Sequence, residues 1–231
     1  MMKTLIIVSH PEIDNSQTQQ FLYQGAKLEN AIWHHVEKIN NLDVINEQKL
    51  LIEADRIIFQ FPLYWYSAPS GLKSWEDTVL TRNFIYGDKT YPLEGKEFGL
   101  VITTGLPLKD FQKGAAENFT LDELMTPYRA IADKARMKIM PIFPVPQFWY
   151  KTELMQMDLL VDYQRYLTQE MPDSLNNKQT WFEKKLQELD LNSNIEDKKF
   201  LELILSNFTS RIEELDQLND TLEMVKEDDE N

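Results

Sequence analysis

Five short apolar runs, spaced by stretches of helical pattern, constrain this chain more than any other feature. They cover residues 4–8, 32–36, 56–61, 98–104 and 138–143. The first of them, Thr4 to Val8, is a short continuous apolar run rather than an alternating one, as suits a strand buried on both faces. Segments 16–28, 46–54, 69–80, 120–136 and 153–169 read as the helices between and after them. Ser16 with Gln19, and Thr120 with Glu123, match the capping box that opens a helix. Strict alternation of strand and helix predicts an α/β fold with a parallel sheet covered on both faces. Five strands with crossover helices predict the doubly wound order 2-1-3-4-5.

In such a sheet, ligands bind outside the carboxyl ends of the strands, at the point where the strand order reverses. Strands 1 and 3 flank that point. The third run meets Pro62, which lacks an N–H and is expected to stop the pairing there. Leu63, Tyr64, Trp65 and Tyr66 follow on a loop. Three adjacent aromatic residues there suit a flat, conjugated ligand. The loop after strand 1 runs from His10 to Gln19, from a strand into a helix start. Free backbone N–H groups at a helix start can hold a phosphate. Ser16 and Thr18 add hydroxyls and His10 a ring donor, while Glu12 and Asp14 would repel an anion unless turned away. Thr103, Thr104 and Gly105 lie at the end of strand 4. A phosphorylated, planar cofactor fits all three loops, and a flavin nucleotide fits best.

Other chemistries are excluded by what is missing. The chain has no cysteine, which removes disulfides, thiolate metal sites and a cysteine nucleophile. Its three histidines, His10, His34 and His35, show no metal-ligand spacing, so no metal is expected. No GxxxxGK[ST], GxGxxG or GxSxG motif is present. Net charge is −14, and residues 172–231 carry 7 Lys and Arg against 16 Asp and Glu, so −9 of it sits there. This balance argues against nucleic acid or an anionic membrane as partner. The apolar run at residues 5–8 is too short for a signal segment or a membrane span, which with the absence of cysteine fits the cytoplasm.

Two domains are expected: residues 1–171 form the α/β domain, and 172–231 an acidic helical extension. In the extension, 172–178 reads as a linker and 179–189 as a short helix broken at 190–194. Leu201, Leu205, Phe208, Ile212 and Leu215 then recur at helical spacing. They read as a hairpin packed on the domain, or as a seam for a dimer or partner over residues 196–226. The composition of residues 223–231 reads as a disordered tail.

Residues 4–170 resemble the flavodoxin-like NAD(P)H dehydrogenase (quinone) family. That family includes quinone reductases, modulator-of-drug-activity proteins and potassium-efflux flavoprotein subunits. The resemblance rests on His10-Pro11 with Ser16, on residues 47–51, on the long block 54–66, and on 72–75 and 84–87. It implies FMN or FAD, a homodimer, and hydride transfer from NAD(P)H through flavin to a quinone-like, nitro or azo acceptor. By the same resemblance His10, Ser16, Gln17 and Thr18 hold the flavin phosphate region. Pro62, Leu63, Tyr64, Trp65, Thr103, Thr104 and Gly105 line the ring. The chain departs from the family at the working end. Leu106 and Pro107 stand where a second glycine is usual, and Phe111 stands at a family tyrosine. Ala115, Ala116 and Glu117 lie where relatives place a tyrosine or histidine. No acid–base residue is expected at the family position. A non-catalytic sensor or regulatory subunit, docking through residues 196–226, is the competing reading, and a flavodoxin-like domain without flavin is a third.

Overall fold

The computed structural model describes residues 2–87, 90–192 and Ser206. The chain divides into two compact units, Met1–Thr168 and Gln169–Asn231. In chain order the first unit contains β1 (Thr4–Val8), α1 (Gln17–Leu28), β2 (Ile32–His35), α2 (Val44–Glu53), β3 (Arg56–Pro62), α3 (Ser70–Val79) and α4 (Arg82–Ile85). There follow β4 (Glu97–Thr104), α5 (Leu121–Leu124), α6 (Thr126–Lys134), β5 (Lys138–Ile139), β6 (Phe143–Pro146) and α7 (Glu153–Thr168). The strands pair in parallel in the order β2-β1-β3-β4-β5, with β6 also on β4. This is the doubly wound, flavodoxin-like order read from the alternation of runs.

Alternation along each strand builds two cores. Ile57, Phe59 and Phe61 of β3 face Leu51 of α2, Leu72, Trp75 and Val79 of α3, and Tyr128 and Ala132 of α6. Ile6, Val8, Ile58 and Val101 face Leu22 and Ala26 of α1 and Leu159, Tyr163 and Leu167 of α7. Each Val, Leu, Ile or Phe side chain among them, taken fully from water, contributes about 1.5–3 kcal/mol. α1 and α7 approach closely at Gly25, where a Cβ would lie 2.9 Å from Leu160 Cδ1 and 3.1 Å from Tyr163 Cδ1. Arg56, fully buried at the start of β3, is held by Glu97, with Nε donating to Oε2 at 2.7 Å.

Prolines correct the expected strand ends. Pro62 does not stop the ladder: it pairs with Thr103, and the Leu63 N–H donates to the Thr103 carbonyl at 2.9 Å. Successive residues of a parallel strand bond to opposite neighbours. The missing N–H of Pro62 therefore faces the β1 side, where the last bond runs from Ser9 N–H to the Gln60 carbonyl. Pro144 and Pro146 were expected to end the fifth strand but lie within β6. β6 pairs only with β4 among the described strands, and the Gln147 N–H donates to Thr104 O at 2.8 Å. By alternation both prolines turn their nitrogens to the open edge, where no donor is needed. The expected single strand 138–143 is thus two edge pieces, β5 and β6. The expected helix 120–136 is likewise two, α5 and α6, with Met125 between them and Pro127 in the first turn of α6.

In the second unit α8 spans Leu175–Asn192. It begins inside the expected linker and continues through Asp190, where a break was expected. Helical Asn and Asp near an end cost little against the bonds gained. The apolar stripe from Leu201 onward and the tail at 223–231 lie outside the described residues. No described helix is long and apolar enough to cross a membrane.

Candidate functional site

Three loops meet at the carboxyl ends of the adjacent strands β1, β3 and β4. The first is shaped from below by Glu37, which the sequence reading did not single out. Its carboxylate accepts from the Ser9 hydroxyl and from the His10 N–H at 3.2 Å, and stands 3.0 Å from His35 Nε2. It also lies against Gly71 in the first turn of α3, where any Cβ would collide with it. One side chain thus ties together the ends of β1 and β2 and the start of α3. The His10 carbonyl accepts from His35 Nε2 at 3.1 Å. Its own Nδ1 accepts from the Glu12 N–H at 3.1 Å. In the neutral ring the proton is therefore on Nε2, free to donate outward. Burial lowers the His10 pKa below its ordinary value, more than the nearby Glu37 raises it.

Ser16 caps α1 as expected, its hydroxyl oxygen accepting from the Gln19 N–H at 3.3 Å. The N–H groups of Gln17 and Thr18 open the helix and have no preceding turn to donate to. α1 has no acidic residue in its first turn. Asp14 is engaged by Lys38 Nζ at 3.0 Å, so its charge is partly met. Donors at a 12-residue helix start, with its dipole, fit a phosphate group.

The second loop leaves β3 as a two-residue turn. Tyr64 N–H donates to Ser67 O at 2.8 Å, and Ser67 N–H to Tyr64 O at 3.1 Å. Trp65 and Tyr66 between them both have left-handed backbones, with φ of 47° and 65°. Such turns normally take Asn-Gly. Two bulky residues there carry strain of roughly 1–3 kcal/mol each, and the turn presents Trp65 93% exposed. The Glu117 carboxylate beside the Tyr66 hydroxyl raises the Tyr66 pKa. This pair joins the second loop to the segment after β4, and no sequence spacing signals it. The Ala68 N–H donates to Tyr128 Oη at 3.3 Å and anchors the turn's far end.

The third loop begins at Thr103 and Thr104. The Thr104 hydroxyl donates to the Leu106 carbonyl at 2.7 Å, folding the chain back. At Gly105 a Cβ would meet no protein atom within 4 Å, so bare backbone borders open space. Leu106 is 42% exposed, whereas Phe111 is buried at 6%. The His10 and Tyr64 rings lie 6.5 Å apart at 62°, edge to face. The first two loops therefore touch, and Leu63 is bonded to Thr103 of the third. Of the predicted residues, the phosphate-type donors gather at α1, and the aromatic and bare-backbone groups at β3 and β4. These groups fit a flavin nucleotide: anion donors at one end, ring faces and an unobstructed glycine at the other.

Comparison with known proteins agrees with this geometry. Residues 2–166 match the Flavodoxin_2 family model, described as a flavodoxin-like fold. A Bacillus subtilis protein named uncharacterized NAD(P)H oxidoreductase YrkL is 41% identical over 146 residues, 62% of this chain and 84% of the relative. The crystal structure of an NADPH-quinone reductase from P. pentosaceus superposes with a TM-score of 0.70 at 48% identity. That match covers 74% of this chain and all of the other. General stress protein 14 of Treponema denticola, solved in complex with FMN, gives a TM-score of 0.64 at 29% identity. It covers 71% of this chain and 97% of that one. With fold, crevice and matched length in accord, the chain belongs to the Flavodoxin_2 family of flavodoxin-like proteins.

Proposed function

We propose that this chain is an FMN-dependent NAD(P)H oxidoreductase that passes a hydride from nicotinamide to a quinone-like acceptor. The contact between His10 and Tyr64 carries the reading, because it makes one crevice of an anion-binding helix start and an aromatic turn. The names of the B. subtilis and P. pentosaceus proteins support the reaction class. The FMN in the T. denticola structure supports FMN over FAD.

The N–H groups of Gln17 and Thr18, the Ser16 hydroxyl and His10 Nε2–H would hold the flavin phosphate. Pro62 to Trp65 would wall one side of the ring, and the backbone from Thr103 to Gly105 the other. When bound, the flavin supplies the hydride-accepting ring, and the protein supplies position and electrostatics. Tyr64, Trp65 and Tyr66 shield the ring from water and leave an open face for nicotinamide and acceptor to use in turn. A homodimer belongs to the same reading, with the exposed Trp65 turn as part of its contact.

Anaerobic addition of NADPH or NADH to the FMN-loaded chain tests the proposal. Bleaching of the flavin absorbance, restored by a quinone, supports it. Bound flavin that neither nucleotide bleaches points instead to a sensor.

A further inference from the structure

Gln60 of β3 is tied to both ends of the phosphate-side loop. Its carbonyl accepts from the Ser9 N–H at 3.0 Å, where the loop leaves β1. Its side-chain amide bonds to that of Gln19 at 2.6 Å, in the first turn of α1, where the loop ends. His10, Ser16, Gln17 and Thr18 all lie between these two ties. The other atom of the Gln60 amide meets the Tyr163 hydroxyl of α7 at 2.7 Å. Tyr163 is itself wedged, its ring 5.9 Å from that of Phe143 and its edge against Gly25 of α1. Burial pushes the Tyr163 pKa well above its ordinary value, so the hydroxyl keeps its proton.

Gln19, Gln60 and Tyr163 are completely buried, in a core otherwise built from Ile6, Val8, Leu22, Ile58 and Leu159. Replacing both partners of a buried hydrogen bond by apolar groups of the same shape is commonly neutral or stabilising. Stability alone therefore does not account for a polar chain at this place. What the chain adds is direction. Apolar contact is non-directional, and it would let α1 settle at more than one rotation about its axis. A hydrogen bond weakens steeply once its angle is lost. Two in series, from α7 through β3 to the third residue of α1, fix the height and rotation of that helix start.

We infer that Gln60 is a positioning residue for phosphate selection. Acting through Gln19, it aims the N–H groups of Gln17 and Thr18 at the flavin phosphate, and so makes the crevice prefer FMN to riboflavin. The inference rests on the FMN reading above. It assigns to the buried amide pair the discrimination between a flavin with a phosphate and one without. The ring walls at Tyr64, Trp65 and Gly105 take no part in it.

The test is the affinity of the full chain for FMN and for riboflavin, measured in the parent and in Gln19→Met, which keeps the side-chain length and loses the amide. The parent is expected to prefer FMN. Gln19→Met should lose about tenfold in FMN affinity, the order of one hydrogen bond to a charged group, with riboflavin affinity unchanged. A second variant, Gln19→Leu with Gln60→Leu and Tyr163→Phe, makes the chain apolar throughout. It should unfold at the parent's temperature or above, yet lose the same preference; where it does not fold, Gln19→Met decides. A merely structural role would weaken both flavins together. A parent that binds neither flavin removes the functional reading and this inference with it. A parent that binds FMN leaves that reading standing. The inference alone is then overturned if the parent shows no preference, if the preference survives in Gln19→Met, or if the two affinities fall in step.

Discussion

Glu37 and Ser9 are joined by a hydrogen bond beneath the crevice, where Ser9 is completely buried. The same carboxylate holds the His10 N–H and His35, so the phosphate-side loop rests on one residue. Glu37→Ala leaves the Ser9 hydroxyl buried and unmet, at a cost of about 1–3 kcal/mol. The expected outcome is a lower urea midpoint and weaker FMN binding together. Glu37→Gln, which keeps one acceptor oxygen, should recover part of both.

Trp65 and Tyr66 place strain and function in the same turn. Trp65 buries little, so Trp65→Gly removes a left-handed Cβ at small packing cost. Relief of that strain, less the entropy glycine adds to the unfolded chain, should stabilise by roughly 0.5–1 kcal/mol. NAD(P)H-dependent turnover should fall, because the ring wall is gone. A stability loss with unchanged turnover would show that the turn is neither strained nor used.

Burial raises the Glu76 carboxyl from 4.5 to about 7, against the partial offset of Lys73 and with a small addition from Asp77. Lys73 Nζ stands 3.6 Å away, and Glu76 Oε1 has no partner in the protein. Between those two pH values the folded chain keeps a proton that the unfolded chain has released. Stability therefore falls as pH rises through the window. Below it the group costs nothing, and above it the cost is constant. Glu76→Gln should flatten this slope. Its melting temperature should match the parent near pH 4.5 and exceed it at pH 8.

Gly99 in β4 faces the Tyr166 hydroxyl, which accepts from the Leu100 N–H at 3.0 Å and donates to the Pro141 carbonyl at 2.8 Å. A Cβ at Gly99 would overlap that hydroxyl. Gly99→Ala should displace the ring and cost about 1–3 kcal/mol, read by chemical denaturation. Tyr166→Phe in the same background should recover part of the loss, since the clashing oxygen is removed.

The sheet order was legible because the alternation of strand-like and helix-like segments is a local signal. The caps at Ser16 and Thr120 were legible for the same reason. Pro62, Pro144 and Pro146 misled, because proline's effect depends on which neighbour its nitrogen faces, and that is set by register. The split of α5 from α6 at Met125 also went unread, although Pro127 marked a helix start. The crevice residues announced themselves by position after strands. Glu37 and the pair of Tyr66 with Glu117 did not, since only the folded chain brings their partners near. Gln19 drew attention as a capping residue, while its buried amide depends on Gln60 and Tyr163, 41 and 103 residues beyond Gln19 and Gln60 respectively.

Titration of flavin-free chain into FMN, followed by flavin fluorescence, tests the crevice most directly. Stacking against Tyr64 and Trp65 predicts saturable quenching at one flavin per chain, lost in a Thr18→Pro variant that removes a helix-start N–H. Undiminished fluorescence at excess protein, or quenching equal in the parent and that variant, would contradict a flavin seated between the ends of β1 and β3.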